Sequence, residues 1–417
     1  MTTDASHTAE PELAGVFTSP DRNAFYAELA AAGPVTRGRY FDGSPVWLVT
    51  GYDESLAVLK DHQRFSNDII NRSSTVDVAA AAGLPEDVWP YLAHTLGAYD
   101  PPEHSRLRKL ASRGFTVRRV EALRPRIQAI VDEILADWAG RPEVDVMERL
   151  AYPLPIRVIC ELLGVPEADL GRWRGWAAGI TAPDPAEVAT AARGLVAYMR
   201  ELVSTKRTEP GDDVLSTLVL AQEEDGDRLS DTELISLGIT ILLAGHETTV
   251  NLLGNGLLLL LTQPEQRRRL QADPGLVPSA VEEMLRYAGP AEIAPMRYAR
   301  NTVELGGVTI GEGDAVQIVY AAANRDPRRF DQPDVVQLDR RDNPHLAFGQ
   351  GIHFCLGAAL ARAEADIAFR SVLARFPDLA LAVAPDELTR TPGITPVLTS
   401  LPVHPNQPGH GAATSSS

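Results

Sequence analysis

The chain has 417 residues, 39 of them basic and 56 acidic, for a net charge of −17, and it contains two cysteines. That acidic balance favours solubility and argues against a general nucleic-acid-binding surface. Two cysteines cannot build a disulfide framework and suit a reducing compartment, the cytoplasm.

No Gly/Ser- or Pro-rich linker divides the sequence, so one large domain is expected over residues 13–403. Residues 1–12 are polar, lack the apolar run of a signal peptide and are expected to form a disordered tail. Pro34–Arg39 and Pro45–Thr50 flank the turn Phe41-Asp42-Gly43-Ser44 and read as a β-hairpin. In Asp100-Pro101-Pro102-Glu103-His104-Ser105-Arg106-Leu107-Arg108, His104 and Arg108 share a helical face. Glu103 to Arg126 holds eight Lys or Arg and two acids in an otherwise acidic chain. Val117–Trp138 and Leu195–Lys206 carry helical patterns, and Cys160, inside the apolar run Ile156–Leu163, reads as a core thiol.

The longest element is expected to begin at Ser230, which forms a capping box with Glu233. It runs without proline to Thr262 and stops before Pro264, a rod of about 48 Å at 1.5 Å per residue. Its apolar stretch contains His246, Glu247, Asn251 and Asn255, which a membrane span would avoid, so it reads as a central helix buried in protein. Glu283 and Arg286, three apart, can pair on a further helix. Strands are expected between Met296 and Tyr320, with a turn at Gly306-Gly307. The tail 404–417 is rich in Pro, Gly and Ser and is expected to be disordered.

Two short segments carry the chemistry. Phe348-Gly349-Gln350-Gly351-Ile352-His353-Phe354-Cys355-Leu356-Gly357 sets a cysteine in a glycine-punctuated loop, ahead of an alanine-rich helix running from Ala358 to about Arg375. The positive end of that helix and its free N–H groups are expected to lower the cysteine pKa and make the sulfur a metal ligand. The middle of the long helix reads Ala244-Gly245-His246-Glu247-Thr248-Thr249. A glycine inside a helix costs about 1 kcal/mol against alanine, and room for a bound ligand is the expected reason. Ala244 and Thr248 share a face, and a helical threonine can bond back to the carbonyl four residues earlier.

The cysteine segment fills every fixed position of the pattern Phe, Gly or Ser, any, Gly, any, His or Arg, any, Cys, any, Gly, and so resembles the haem-binding loop of the cytochrome P450 family. The resemblance spans about Asp21 to Val403. It implies a mainly α fold with a small β region, with haem b (iron protoporphyrin IX) held between the long central helix and the cysteine loop. Cys355 would be the axial thiolate, which pushes electron density onto iron and favours O–O cleavage. Phe348 belongs to that loop, Gly349 and Gly351 would permit its turns, and Gly357 would let backbone approach the macrocycle.

Other roles follow from the same resemblance. Ala244–Thr248 resembles the family's oxygen-activation motif, with Ala244 beside the cofactor, Glu247 relaying protons and Thr248 organising water. O2 is then the co-substrate. Glu283, Arg286 and Arg340 would form a buried ion triad, with Val336 standing where the family commonly has an aromatic residue. His104, Arg108, Arg297 and His353 would hold the haem propionates.

The implied activity is that of a soluble, bacterial-type monooxygenase that hydroxylates or epoxidises a small but bulky hydrophobic substrate, in the manner of actinobacterial members that tailor macrolides and other polyketides. Terpenoids, steroids, fatty acids and xenobiotics are the alternatives. A peroxide-driven enzyme and a non-oxygenating haem-binding or sensor protein are the rival classes. Electrons would come from NAD(P)H through a ferredoxin and its reductase, the ferredoxin docking on the basic face at Arg106, Lys109 and Arg113. The pocket is expected from segments between Ser66 and Tyr99, between Ala177 and Ala197, and from Ala244, Thr248, Glu292, Ile293, Ala294 and Val397. Glu292 either faces solvent in its turn or meets an amino-sugar cation. The protein is expected to be monomeric, off the membrane and free of nucleic acid.

Overall fold

The computed structural model describes residues 10–19, 21–68, 84–92, 95–180, 182, 184–224 and 229–406. Asp21 starts helix α1 (Arg22–Ala31), its carboxylate accepting from the N–H groups of Asn23 and Ala24. The expected hairpin is strands β1 (Val35–Arg39) and β2 (Pro45–Val49), with Gly43 at φ 81° in its turn. Strand β2 runs parallel to β8 (Ala315–Ile318), and β5 (Arg297–Ala299) and β3 (Phe65–Ser66) complete a five-stranded sheet of order β1-β2-β8-β5-β3. A two-stranded ribbon, β6 (Val303–Leu305) and β7 (Val308–Ile310), turns at Gly306 and Gly307, both in the left-handed region. A third sheet joins β4 (Val144–Asp145), β10 (Pro402–His404) and β9 (Ala380–Leu381).

Two tail boundaries therefore move. His404, expected in the disordered tail, pairs with Ala380 in β10, and Glu12 bridges Arg39 beside the first hairpin. Residues 1–9 and 407–417 lie outside the described residues.

Helices α2 (Tyr52–Lys60), α3 (Trp89–Leu92), α4 (Glu103–Ser112), α5 (Val117–Ala136), α6 (Pro153–Leu163), α7 (Leu170–Ile180), α8 (Pro185–Thr208) and α9 (Val214–Glu224) lead to α10 (Asp231–Thr262). The capping box that starts α10 is formed in full: Glu233 N–H donates to Ser230 Oγ at 3.2 Å, and Ser230 N–H to the Glu233 carboxylate at 2.7 Å. Beyond it come α11 (Pro264–Ala272), α12 (Val277–Ala288), α13 (Tyr320–Ala323) and α14 (Ala358–Arg375).

The 32 residues of α10 are packed by α6, α8, α12 and α14. Leu234, Leu242, Leu253, Leu257 and Leu260 are all buried, each contributing about 1.5–3 kcal/mol by leaving water. No helix among the described residues is long and apolar enough to cross a membrane. Cys160 is in the main core, where burial pushes its thiol up to about 12.

Gly245 has a different reason from the one expected. A Cβ there would lie 2.9 Å from Cδ1 of Ile159 on α6, so the glycine permits a close helix crossing rather than room for a ligand. The segment Leu243–Thr248 is nonetheless the stretch where α10 leaves the core, and Ala244 is exposed.

Candidate active site

A cavity of about 280 Å³ lies beside the cysteine loop. Cys355, Phe348, Gly349, Gln350 and His353 line it from the loop, His104 and Arg108 from α4, and Arg297 from β5. The rest of the wall includes Thr240 of α10, Pro295 and Tyr320. The fold thus gathers seven of the expected cofactor residues: His104, Arg108, Arg297, Phe348, Gly349, His353 and Cys355.

The loop is held by its own backbone. Cys355 N–H donates to the Phe348 carbonyl at 2.9 Å, and Gly349 N–H to Leu346 at 2.8 Å. Gly349 and Gly351 sit at φ 66° and 73°, as their turns require. At Gly351 a Cβ would also strike the Leu59 carbonyl at 2.4 Å, whereas at Gly357 it would meet no protein atom within 4 Å.

The loop is bracketed from outside as well. Glu282 of α12 accepts from Arg362 at 2.6 and 2.8 Å and bonds the His345 ring at 3.1 Å, one partner on each side of the cysteine segment. Burial works against ionisation of Glu282, yet Arg362 and His345 pull its carboxyl down to about 2. Arg362 also stacks over Phe348, 4.5 Å from the ring centre.

The electrostatics of the cavity are unbalanced. Arg108 and Arg297 have no carboxylate partner among the described residues, although Arg297 is 3 % exposed. Both ring nitrogens of His104, and Nε2 of His353, are buried without a hydrogen-bond partner among the described residues. The two rings lie 4.2 Å apart. Burial first, and then neighbouring cations, lower His104 to about 4 and His353 to about 3.

The expected lowering of the Cys355 pKa does not hold for the protein alone. The side chain opens on the cavity, but protein packed round the loop desolvates the thiol and raises its pKa. The N–H groups of Gly357 and Ala358, with Arg108 and Arg362, offset only part of that.

Ala244, Glu247 and Thr248 sit on α10, one to two turns beyond Thr240, and are not part of this cavity's lining. Thr248 Oγ1 donates to the Ala244 carbonyl at 2.7 Å, the back-bond that helical threonines favour. Burial raises the Glu247 carboxyl.

The ion triad is complete. Arg286 grips Glu283 through two bonds of 2.8 Å, and Arg340 Nε donates to the same carboxylate at 3.1 Å. Gln337 N–H and Asn343 Nδ2 also donate to it, so Glu283, 0 % exposed, has no bare oxygen. Val336 is buried without the aromatic ring, and Arg286 lies over Phe330 instead, 5.3 Å from the ring centre.

Other expectations change. Glu292 neither faces solvent freely nor reaches the cysteine cavity: Arg22 and the Tyr26 hydroxyl hold its carboxylate at the edge of a separate cavity of about 710 Å³. Val397 and Ala294 are buried in packed cores, and Ile293 packs against a third cluster. Part of the expected pocket wall, residues 69–83, 93–94, 181 and 183, lies outside the described residues. The basic face is also smaller than its sequence count. Arg106 pairs with Glu233, Arg119 with Asp212, Arg124 with Asp366 and Arg126 with Glu161, which leaves Lys109 and Arg118 exposed without an ion pair among the described residues.

Sequence reasoning missed Thr240 and Tyr320 in the wall, Glu282 beneath the loop, and Glu364 of α14. Thr240 lies four residues before Ala244 on the same face, so spacing would have found it. Glu364 is 2 % exposed, its Oε2 has no partner among the described residues, and burial raises its carboxyl to about 8.

Comparison with known proteins agrees with this geometry. The Cytochrome P450 family profile matches residues 187–274 and 275–397. Cytochrome P450 monooxygenase PikC of Streptomyces venezuelae is 49% identical over 370 residues, 88% of this chain and 86% of that protein. The 6-deoxyerythronolide B hydroxylase of Saccharopolyspora erythraea is 45% identical over 386 residues, 91% and 95% of the two chains. Among solved structures, the Bacillus subtilis 168 bacillaene polyketide synthase cytochrome P450 PksS superposes with a TM-score of 0.86 at 36% identity, covering 94% of this chain and 98% of that one. With its helical fold, its small sheets and its cysteine loop, the chain belongs to the cytochrome P450 family and is a haem- and O2-dependent monooxygenase.

Proposed function

We propose that this monooxygenase hydroxylates or epoxidises a bulky hydrophobic polyketide, with Cys355 as the thiolate ligand of haem b. One observation carries the cofactor assignment: a thiol, two arginines without carboxylate partners and two imidazoles with unpartnered nitrogens surround one cavity. Such a set fits a dianionic macrocycle with a metal at its centre. Arg108, Arg297, His104 and His353 would bind the propionates by charge-assisted bonds, and Gly357, where a Cβ would meet no protein atom within 4 Å, would leave room for the macrocycle. When bound, the haem supplies thiolate-ligated iron at which O2 is split with two electrons, one atom entering the substrate and the other leaving as water.

The remaining steps belong to side chains of α10. Glu247, its carboxyl raised by burial, holds and delivers protons. Thr248 spends its hydroxyl hydrogen on the Ala244 carbonyl and keeps its lone pairs to accept from water.

The substrate class rests on the relatives, among them a 6-deoxyerythronolide B hydroxylase and a bacillaene polyketide synthase P450. The enzyme works as a cytoplasmic monomer and takes electrons from NAD(P)H through a ferredoxin and its reductase. Exposed Lys109 and Arg118 would form the centre of the docking face, and Arg113 its edge.

The test is direct. Purified protein, reduced and exposed to carbon monoxide, gives a thiolate-type Soret band, and product forms only with an electron donor. A spin-state titration against a hydrophobic library selects polyketides over fatty acids and steroids. A normal pigment without donor-dependent turnover would leave the sensor reading in its place.

A further inference from the structure

The segment Gly289–Met296 joins α12 to β5, and Pro295 and Arg297 at its end line the Cys355 cavity. It forms no regular element and contains Pro290 and Pro295, which have no N–H to donate. On one side it hangs from the sheet. Ala294 N–H donates to the Ile318 carbonyl at 3.0 Å, and the Ala294 carbonyl accepts from Gln317 Nε2 at 2.6 Å.

On the other side it is held by α1, some 270 residues away in sequence. Arg22 Nε donates to both oxygens of Glu292, at 3.2 and 3.0 Å, and its terminal nitrogen donates to Oε2. The Tyr26 hydroxyl donates to the same Oε2 at 2.6 Å. Tyr26 is 2 % exposed, and the Arg22 and Glu292 side chains 19% and 18%, so water screens these charges weakly. Helix α1 is itself seated: Tyr26 and Leu29 pack in one cluster with Val319 and Ala322, on either side of the cavity residue Tyr320.

We infer that Arg22 and Tyr26 are positioning residues that act through Glu292 to fix one wall of the Cys355 cavity. Among the described residues Arg22 and Tyr26 are the side chains hydrogen-bonded to Glu292, Arg390 adding only a longer-range attraction, and charge-assisted bonds fix direction as well as distance. With the clamp intact the wall is preorganised. With it broken, the wall has to be ordered each time a ligand presses on it, which weakens binding of ligands large enough to reach it. A ligand confined to the iron does not touch the wall and is indifferent to the clamp. This inference rests on the haem reading of the cavity.

The experiment compares two azoles that coordinate ferric haem iron, imidazole and the bulkier 4-phenylimidazole, by optical titration of the holoenzyme. Tyr26→Phe, which keeps the packing of the ring, and Arg22→Ala are expected to weaken 4-phenylimidazole about tenfold and leave imidazole within about twofold. The double exchange Arg22→Glu with Glu292→Arg is expected to restore the bulky ligand. Unchanged 4-phenylimidazole affinity in Tyr26→Phe and Arg22→Ala, or equal loss for both azoles, overturns the inference. The carbon monoxide band separates the two levels of argument. Its absence from the wild-type protein removes the haem reading and this inference together, whereas a normal band with unchanged azole affinities removes only the clamp.

Discussion

Two clusters of buried charge lie close together in this fold and behave in opposite ways. Around Glu283, five donors converge on one carboxylate, and the arginines spend their remaining N–H groups on the carbonyls of Asn324, Pro333 and Asp331. That cluster is closed around its charges: both oxygens of the carboxylate are bonded, and only Asn343 Oδ1 is left without a partner among the described residues. Around Cys355, two arginines and two histidines converge with no acid among the described residues bonded to them, the neighbouring Asp100 being held by Ser66, Asn67 and Arg300. That cluster is open and is completed by what binds. Burial and charge alone do not distinguish scaffold from site; the balance of donors and acceptors does.

The sharpest way to break the comparison is at the sulfur. Cys355→Ser is expected to abolish both the thiolate-type Soret band and turnover, and retention of either would sink the assignment. At the closed cluster, Glu283→Ala or Arg286→Ala strands a buried charge and is expected to cost about 3–5 kcal/mol in chemical denaturation. A loss below about 1 kcal/mol would mean the triad is not structural.

Glu364 offers a pH test of a third condition, a buried acid without a full set of partners. Its carboxyl is raised from an ordinary 4.5 to about 8. Its favourable contribution is therefore complete below pH 4.5 and is lost as pH rises through 8, because the unfolded chain gives up the proton first. Across that window the loss is roughly 3–6 kcal/mol, and Glu364→Gln is expected to flatten the slope in denaturation curves.

Glu247→Gln leaves the cysteine cavity untouched and is expected to lower product formation about 10²-fold with the Soret band intact; unaltered product yield would exclude the proton role. The smallest effect is expected at the surface. Lys109→Glu slows reduction by ferredoxin several-fold at low salt, and the difference fades as ionic strength rises. Charge reversal at Arg106 is a poor probe of docking, since Arg106 pairs with Glu233 in the capping box of α10.

Much of this was legible because it is local. A capping box, a proline-free apolar run and two left-handed glycines fix their own geometry, so α10 and the cysteine loop appear where spacing put them. The Glu283–Arg286 pair is legible for the same reason, being three residues apart on one helix. What stayed hidden depends on residues that meet across the fold. The distance between Arg22 and Glu292 in sequence conceals their bond, and so Glu292 was expected in the wrong place. Ion pairing across helices shrank the basic face from eight cations to its exposed remnant. Gly245 shows the same limit, since its reason is a side chain on another helix.

That crossing has a consequence for the cavity wall. Ile159 comes so near that a methyl on Gly245 would lie 2.9 Å from its Cδ1, so the isoleucine side chain or the helix crossing would have to give. Thr248 lies three residues further along and Thr240 five residues back, both carried on the same rigid rod. The position of Thr240 in the cavity wall therefore depends in part on a contact behind it, between Gly245 and an isoleucine on α6.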